Sequence, residues 1–179
     1  MSKLTVQGAK AASAATSKSD IVVVPLFTKE DLSASASEVN AAAGDVLQRA
    51  ITIGDADVKL GKITTMVGSG NIARVMSVGC GDRASFNLEA QLSVTGAVSR
   101  ALASSKAKNA IVVGDPIADD KDALAQFLEF LGRDMAMACY HYTATLGAPK
   151  PGPTFSKLTV AVDGISTAKA KQSLSVGAT

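Results

Sequence analysis

Residues Lys59 to Ser105 read KLGKITTMVGSGNIARVMSVGCGDRASFNLEAQLSVTGAVSRALASS, and their pattern decides the fold. Two short β-branched runs are each followed by a glycine-bounded loop, and a long amphipathic pattern comes after the second. That second run, Ala73 to Val78, ends in Gly79-Cys80-Gly81-Asp82 and feeds a helix predicted to begin near Asn87. The next run, Asn109-Ala-Ile-Val-Val-Gly114, supplies the following strand and completes a βαβ unit. Between Ile63-Thr-Thr-Met-Val67 and Ala73 the segment Gly68-Ser-Gly-Asn71 is turn chemistry that favours a hairpin. The expectation is an α/β domain with a mixed, mostly parallel sheet.

Working outward, Val58-Lys-Leu60 joins Ile63–Val67 as a second strand or as one bulged strand. Ile21-Val-Val-Val-Pro-Leu-Phe27 is apolar without alternation, as expected of a central strand covered on both faces, with Pro25 near its end because proline has no N–H for a ladder. Ser35-Ala-Ser-Glu38 has capping-box spacing, and Val39, Ala42, Ala43, Val46, Leu47, Ala50 and Ile51 follow on one face of what reads as a single helix. The Asn87 helix carries Leu88, Leu92, Thr95, Val98, Ala101 and Leu102 on one side, with Gln91, Ser99 and Arg100 on its polar face. Gly96 in its middle predicts close packing against a strand. Pro116 and the acidic residues to Asp122 suit a loop and then a helix start. Leu124, Phe127, Leu128, Leu131, Met135, Ala138 and Cys139 continue that helix. Gly147 to Pro153 reads as an exposed turn, Lys157–Val162 as the last strand, and Ile165–Ser175 as a weak helix. Lys3–Val6 is a candidate edge strand, followed by an Ala/Ser segment that is a short helix or a loop.

A chain of 179 residues holds one domain with a proper core. Its net charge of +2, with scattered lysine and arginine, gives no electrostatic footprint for nucleic acid. No apolar run approaches the ~20 residues of a membrane span. Cys80 and Cys139 lack metal-site or disulfide spacing, so a reducing, cytoplasmic setting fits. The first twenty residues contain no acidic residue before Asp20, as organellar transit segments do, but they have no arginine and no amphipathic stripe.

Two stretches match a loose dinucleotide fingerprint. Gly68 to Ala73 leads into a strand, where a phosphate finds no helix N-terminus. Gly79-Cys-Gly-Asp-Arg-Ala84 is better placed, and it makes Gly79, Gly81, Asp82, Arg83 and Asp115 a candidate phosphate or nucleotide loop, with Asp115 where a ribose-binding carboxylate stands. The late helix start and the charge of Asp82 weigh against it, and a glycine-rich surface turn is the plainer alternative. His141 is a candidate general base with no nucleophile beside it, against the plainer reading of a histidine favoured by a helix C-terminus. Cys80 is a reactive thiol only if a helix N-terminus lowers its pKa, and otherwise a small half-buried residue. Asp115, Asp119, Asp120 and Asp122 lack calcium-loop spacing and fit a solvated helix start better than a cation site.

Taken together, Leu60-Gly-Lys, Met66–Gly70, the strand Ala73–Gly81 and the helix Leu88-Glu-Ala-Gln-Leu with Gly96-Ala-Val-Ser-Arg-Ala-Leu102 resemble the N-terminal domain of the M17 leucyl aminopeptidases. Ala123 to Tyr142 and the strand Leu158-Thr-Val extend the resemblance over nearly the whole chain. It implies a macro-domain-like three-layer αβα sandwich. It also implies a C-terminal catalytic domain of the same polypeptide, holding two divalent cations (Zn or Mn), hydrolysing N-terminal residues and building a homo-hexamer with the N-terminal domains at its periphery. The signature Asn-Thr-Asp-Ala-Glu-Gly-Arg of that catalytic domain does not occur in this sequence, so no catalytic or metal-binding residue transfers to a position here. The resemblance therefore implies a regulatory or assembly domain. The alternative, by analogy with macro domains, is a stand-alone nucleotide or ADP-ribose binder.

Overall fold

A computed structural model describes residues 4–118, 120–140 and 152–179. Its six strands are β1 (Thr5–Ala9), β2 (Ile21–Phe27), β3 (Ile63–Val67), β4 (Arg74–Gly81), β5 (Asn109–Val113) and β6 (Lys157–Ala161). They lie in the order β1-β6-β5-β2-β4-β3, and every neighbouring pair is parallel except the β3–β4 hairpin. All seven residues of β2 are buried. Pro25 lies past Val23, the last β2 residue paired with β5, so the proline falls where one ladder has already ended.

Helices cover both faces. Val22, Val24, Leu26, Ile111 and Val113 meet α2 (Ala34–Ala42) and α3 (Val46–Ile53), with a short α1 (Ser13–Thr16) beside them. Ile21, Val23, Met76, Val78, Cys80, Val112 and Val160 meet α4 (Leu88–Ser104), α5 (Lys121–Cys139) and α6 (Thr167–Gly177). Successive strand residues alternate between the two cores, as the pleat requires. The three-layer αβα sandwich is therefore present, and the β4–α4–β5 crossover passes over β2 to reach its second strand.

Several expectations change in detail. The single helix over residues 35–51 is two, because Gly44 and Asp45 both take left-handed conformations at φ 82° and 59°. The Asn40 side chain stabilises the break: its Nδ2 donates to Asp45 Oδ1, and its Oδ1 accepts from the Gln48 N–H that α3 leaves unpaired. The N-cap of α2 is Ser33, whose Oγ accepts from the Ala36 N–H, so the Ser35–Glu38 capping box does not form. Residues 58–60 are not a strand. Gly61, at φ 76°, interrupts the pairing, although Gly81 N–H still donates to Val58 O and Gly79 N–H to Lys62 O. The first strand is Thr5–Ala9 instead of Lys3–Val6, set by its register on β6. Gly96 faces the α5 side and not a strand, and Ser99, expected on the polar face of α4, is buried. The 147–151 part of the expected turn lies outside the described residues.

Candidate functional site at the carboxyl ends of the central strands

The candidate loop residues meet at the carboxyl edge of the parallel sheet, beside the point where connections leave β2 and β5 in opposite directions. There β4 runs on through Gly81, at φ 69°, into one turn of 3-10 helix at Arg83–Ser85. The helix α4 starts only at Leu88, capped by Asn87. The backbone N–H groups of both glycines are taken: Gly79 donates to Lys62 O and Gly81 to Val58 O. A Cβ on Gly79 would run into the Lys59 carbonyl oxygen, so this glycine admits the chain's own backbone.

Arg83 ties three elements together. Its Nε and Nη2 bind Glu30 at 2.7 and 2.8 Å, Nη2 also donates to Pro116 O at 2.9 Å, and the guanidinium lies 3.9 Å from the Phe27 ring centroid. Phe86 meets the same ring edge-on, with centroids 5.0 Å apart. The hydrogen bond from Arg83 holds the Glu30 carboxyl below its ordinary range. Asp115 accepts from the Ser35 hydroxyl at 2.8 Å and from the Asp163 N–H at 3.0 Å, joining the end of β5 to α2 and to the end of β6. Asp82 is exposed on the rim.

Cys80 is 1% exposed, and burial pushes its thiol up to about 12, which argues against a reactive thiolate. Asp120 caps α5 through the Ala123 N–H at 2.8 Å. Asp119 and His141 lie outside the described residues. Among the described residues no group of three or more His, Cys, Asp or Glu is placed to hold a metal ion, and no helix is long and apolar enough to cross a membrane. Sequence reasoning singles out Arg83 and Asp115 but not Glu30, Ser35 and Asp163, the residues they contact. These lie 53, 80 and 48 residues away, and no local spacing marks them.

The fold and this edge define an α/β domain with a mixed, mostly parallel sheet and its loop network at the carboxyl ends of the central strands. Residues 23–146 match the model of the cytosol aminopeptidase family, N-terminal domain, and the chain belongs to that family. A "probable cytosol aminopeptidase" of Paraburkholderia xenovorans is 38% identical over 93 residues, which is 51% of this chain and 18% of that protein. A relative of the same description from Burkholderia thailandensis is 36% identical over 93 residues. The matched stretch thus spans less than a fifth of these relatives. Among solved structures, a tomato leucine aminopeptidase variant aligns with a TM-score of 0.75 at 13% identity, covering 98% of this chain and 35% of the other. The bottromycin maturation enzyme BotP aligns at 0.57 and 16% identity, covering 86% and 29%. At these identities the structural likeness speaks for the fold.

Proposed function

We infer that this chain is the non-catalytic regulatory or assembly domain of a leucyl-aminopeptidase-type metallo-exopeptidase that removes N-terminal residues from peptides. The observation that carries the reading is the family match over 23–146, which falls wholly within the family's N-terminal domain. The two divalent cations of such an enzyme, zinc or manganese, belong in a catalytic domain, and the described residues here offer no ligand cluster to hold them. The partner is that catalytic domain, the assembly is its homo-hexamer, and the setting is the cytoplasm. The test is hydrolysis of a leucyl amide by the purified 179 residues with added zinc or manganese. No turnover above buffer is expected, and metal-dependent turnover would refute the reading.

A second reading is a nucleotide or ADP-ribose binder at the sheet's carboxyl edge. It is supported by the convergence of Gly81, Asp82, Arg83 and Asp115 beside the β2–β5 crevice. The engaged glycine N–H groups count against it. A thermal-shift titration with ADP-ribose and NAD separates the two readings, because a ligand at 100 times its Kd adds roughly 2.7 kcal/mol.

A further inference from the structure

Away from this edge network, α4 and α5 carry polar groups that the network does not use. A groove of about 390 Å³ opens between α4 and α5, with Gly96, Ser99 and Arg100 on one wall and Arg133 and Asp134 on the other. Gln91, Thr95 and Ser99 recur every four residues along α4 and form one stripe. Thr95 donates to Asp134 Oδ2 at 2.6 Å, which fixes the stripe against α5. Gln91 Oε1 and Ser99 Oγ are buried with no hydrogen-bond partner among the described residues. Ser99 is 1% exposed and lines the groove. A buried polar atom left unpaired is costly, and of these two Ser99 Oγ belongs to a residue that lines the groove, where a ligand can pair with it.

The charges say what that is. Arg133 is spent on Asp134, its Nε and Nη2 reaching Oδ1 at 2.9 and 2.7 Å. Arg100 makes no ion pair or hydrogen bond with any described residue. Its Nη1 lies 3.1 Å from where a Cβ on Gly96 would stand, so the guanidinium folds back over the glycine. A glycine in a helix interior is less favourable than alanine, and here it clears the space the guanidinium occupies. Two guanidinium groups against one carboxylate leave a single unit of positive charge. Beside it Leu92, Ala138 and the largely exposed Met137 provide an apolar floor.

The geometry points to a binding site for a small monocarboxylate with an apolar tail. Its carboxylate pairs with Arg100 and accepts from the Ser99 hydroxyl, and its tail rests on Leu92 and Met137. A planar guanidinium with no partner among the described residues suits a carboxylate's two oxygens, and the volume suits a small organic molecule.

The test is an NMR titration of the isotope-labelled full chain with isocaproate, alongside isoamyl alcohol, which has the same tail without the charge, and inorganic phosphate. Isocaproate, taken to about 10 mM to reach weak affinities, is expected to give saturable shifts confined to Leu92–Arg100 and Arg133–Ala138. Arg100→Gln is expected to raise its Kd about tenfold, the loss of one charge-assisted contact. Gly96→Ala is expected to raise the Kd without lowering the unfolding midpoint, because it moves the flexible end of Arg100 and nothing else. Absence of saturable shifts, equal binding of isoamyl alcohol, tighter binding of phosphate, or an unchanged Kd in Arg100→Gln would each overturn the proposal.

Discussion

Asp115 sits one residue past the glycine that follows β5, and it does its work by accepting two hydrogen bonds from other elements. Replacing it with alanine leaves the mostly buried Ser35 hydroxyl without its acceptor, and the Asp163 N–H without its own. Asp115→Ala is expected to cost about 2 kcal/mol, read from the urea midpoint at unchanged m-value. The Arg83–Glu30 pair is different, because its side chains are 43% and 37% exposed and water screens them. Glu30→Gln should cost no more than about 0.5 kcal/mol at neutral pH. The Glu30 carboxyl is lowered from 4.5 in the folded state, so the pair's contribution is present above that value and is lost as pH falls through the lower folded value. Unfolding curves of both proteins should therefore converge at acid pH, and a gap that widens there would contradict the sign. The two thiols should separate as well. Burial raises both, but Cys139 is only half-buried, so it should react with a thiol reagent before Cys80, which waits for unfolding. At this scale the sequence singled out Arg83 and Asp115 by their place after strands. Their partners could not be read, because contacts across 53 and 80 residues leave no periodic trace.

Among elements, the helices of the larger layer pack backbone against backbone. A Cβ on Gly132 of α5 would run into the Leu174 carbonyl oxygen of α6, and one on Gly177 would meet the Glu129 carbonyl. Gly132→Ala is therefore expected to destabilise by about 1–3 kcal/mol despite alanine's better helix propensity, because a carbonyl in a helix cannot move aside. Gly96→Ala meets only a side-chain end and should be neutral or stabilising. Denaturant unfolding of the two variants side by side checks this, and a similar loss in both would show that α4 is packed as tightly as α5. Periodicity located α4, α5 and α6 well, since their apolar positions face one sheet. It failed at residues 43–45, where the apolar pattern carries across a break made by two left-handed residues. A moment-based reading follows the face and is blind to φ. Ser99 differs for a related reason: the sequence places its hydroxyl on the polar face of α4, and packing beside α5 buries it.

For the whole molecule, the continuous apolar run of β2 and the glycine hairpin are enough to foresee a mixed sheet whose central strand is covered on both faces, because burial on two sides leaves a distinctive composition, while the three-layer sandwich is what the family resemblance implies. Strand order was not legible, since it depends on which crossover skips a neighbour. The two faces are unequal. One is filled by Phe127, Phe155, Leu and Met side chains, while the other relies heavily on alanine at 14, 36, 43, 50 and 56. Less apolar area holds α2 and α3 in place, so their amides should exchange faster than those of α4 and α5 in native-state hydrogen exchange. Uniform protection across both layers would refute this.

The sheet's outermost parallel strand, β1, has β6 as its sole neighbour, with Thr5 opposite Lys157. A growing polypeptide therefore keeps this strand waiting, unpaired, until β6 has been made, and closing so long a loop carries an entropic toll that rises with the logarithm of its length. Assembly of this sheet on the ribosome therefore runs from the middle outward, with β1 joining only after β6.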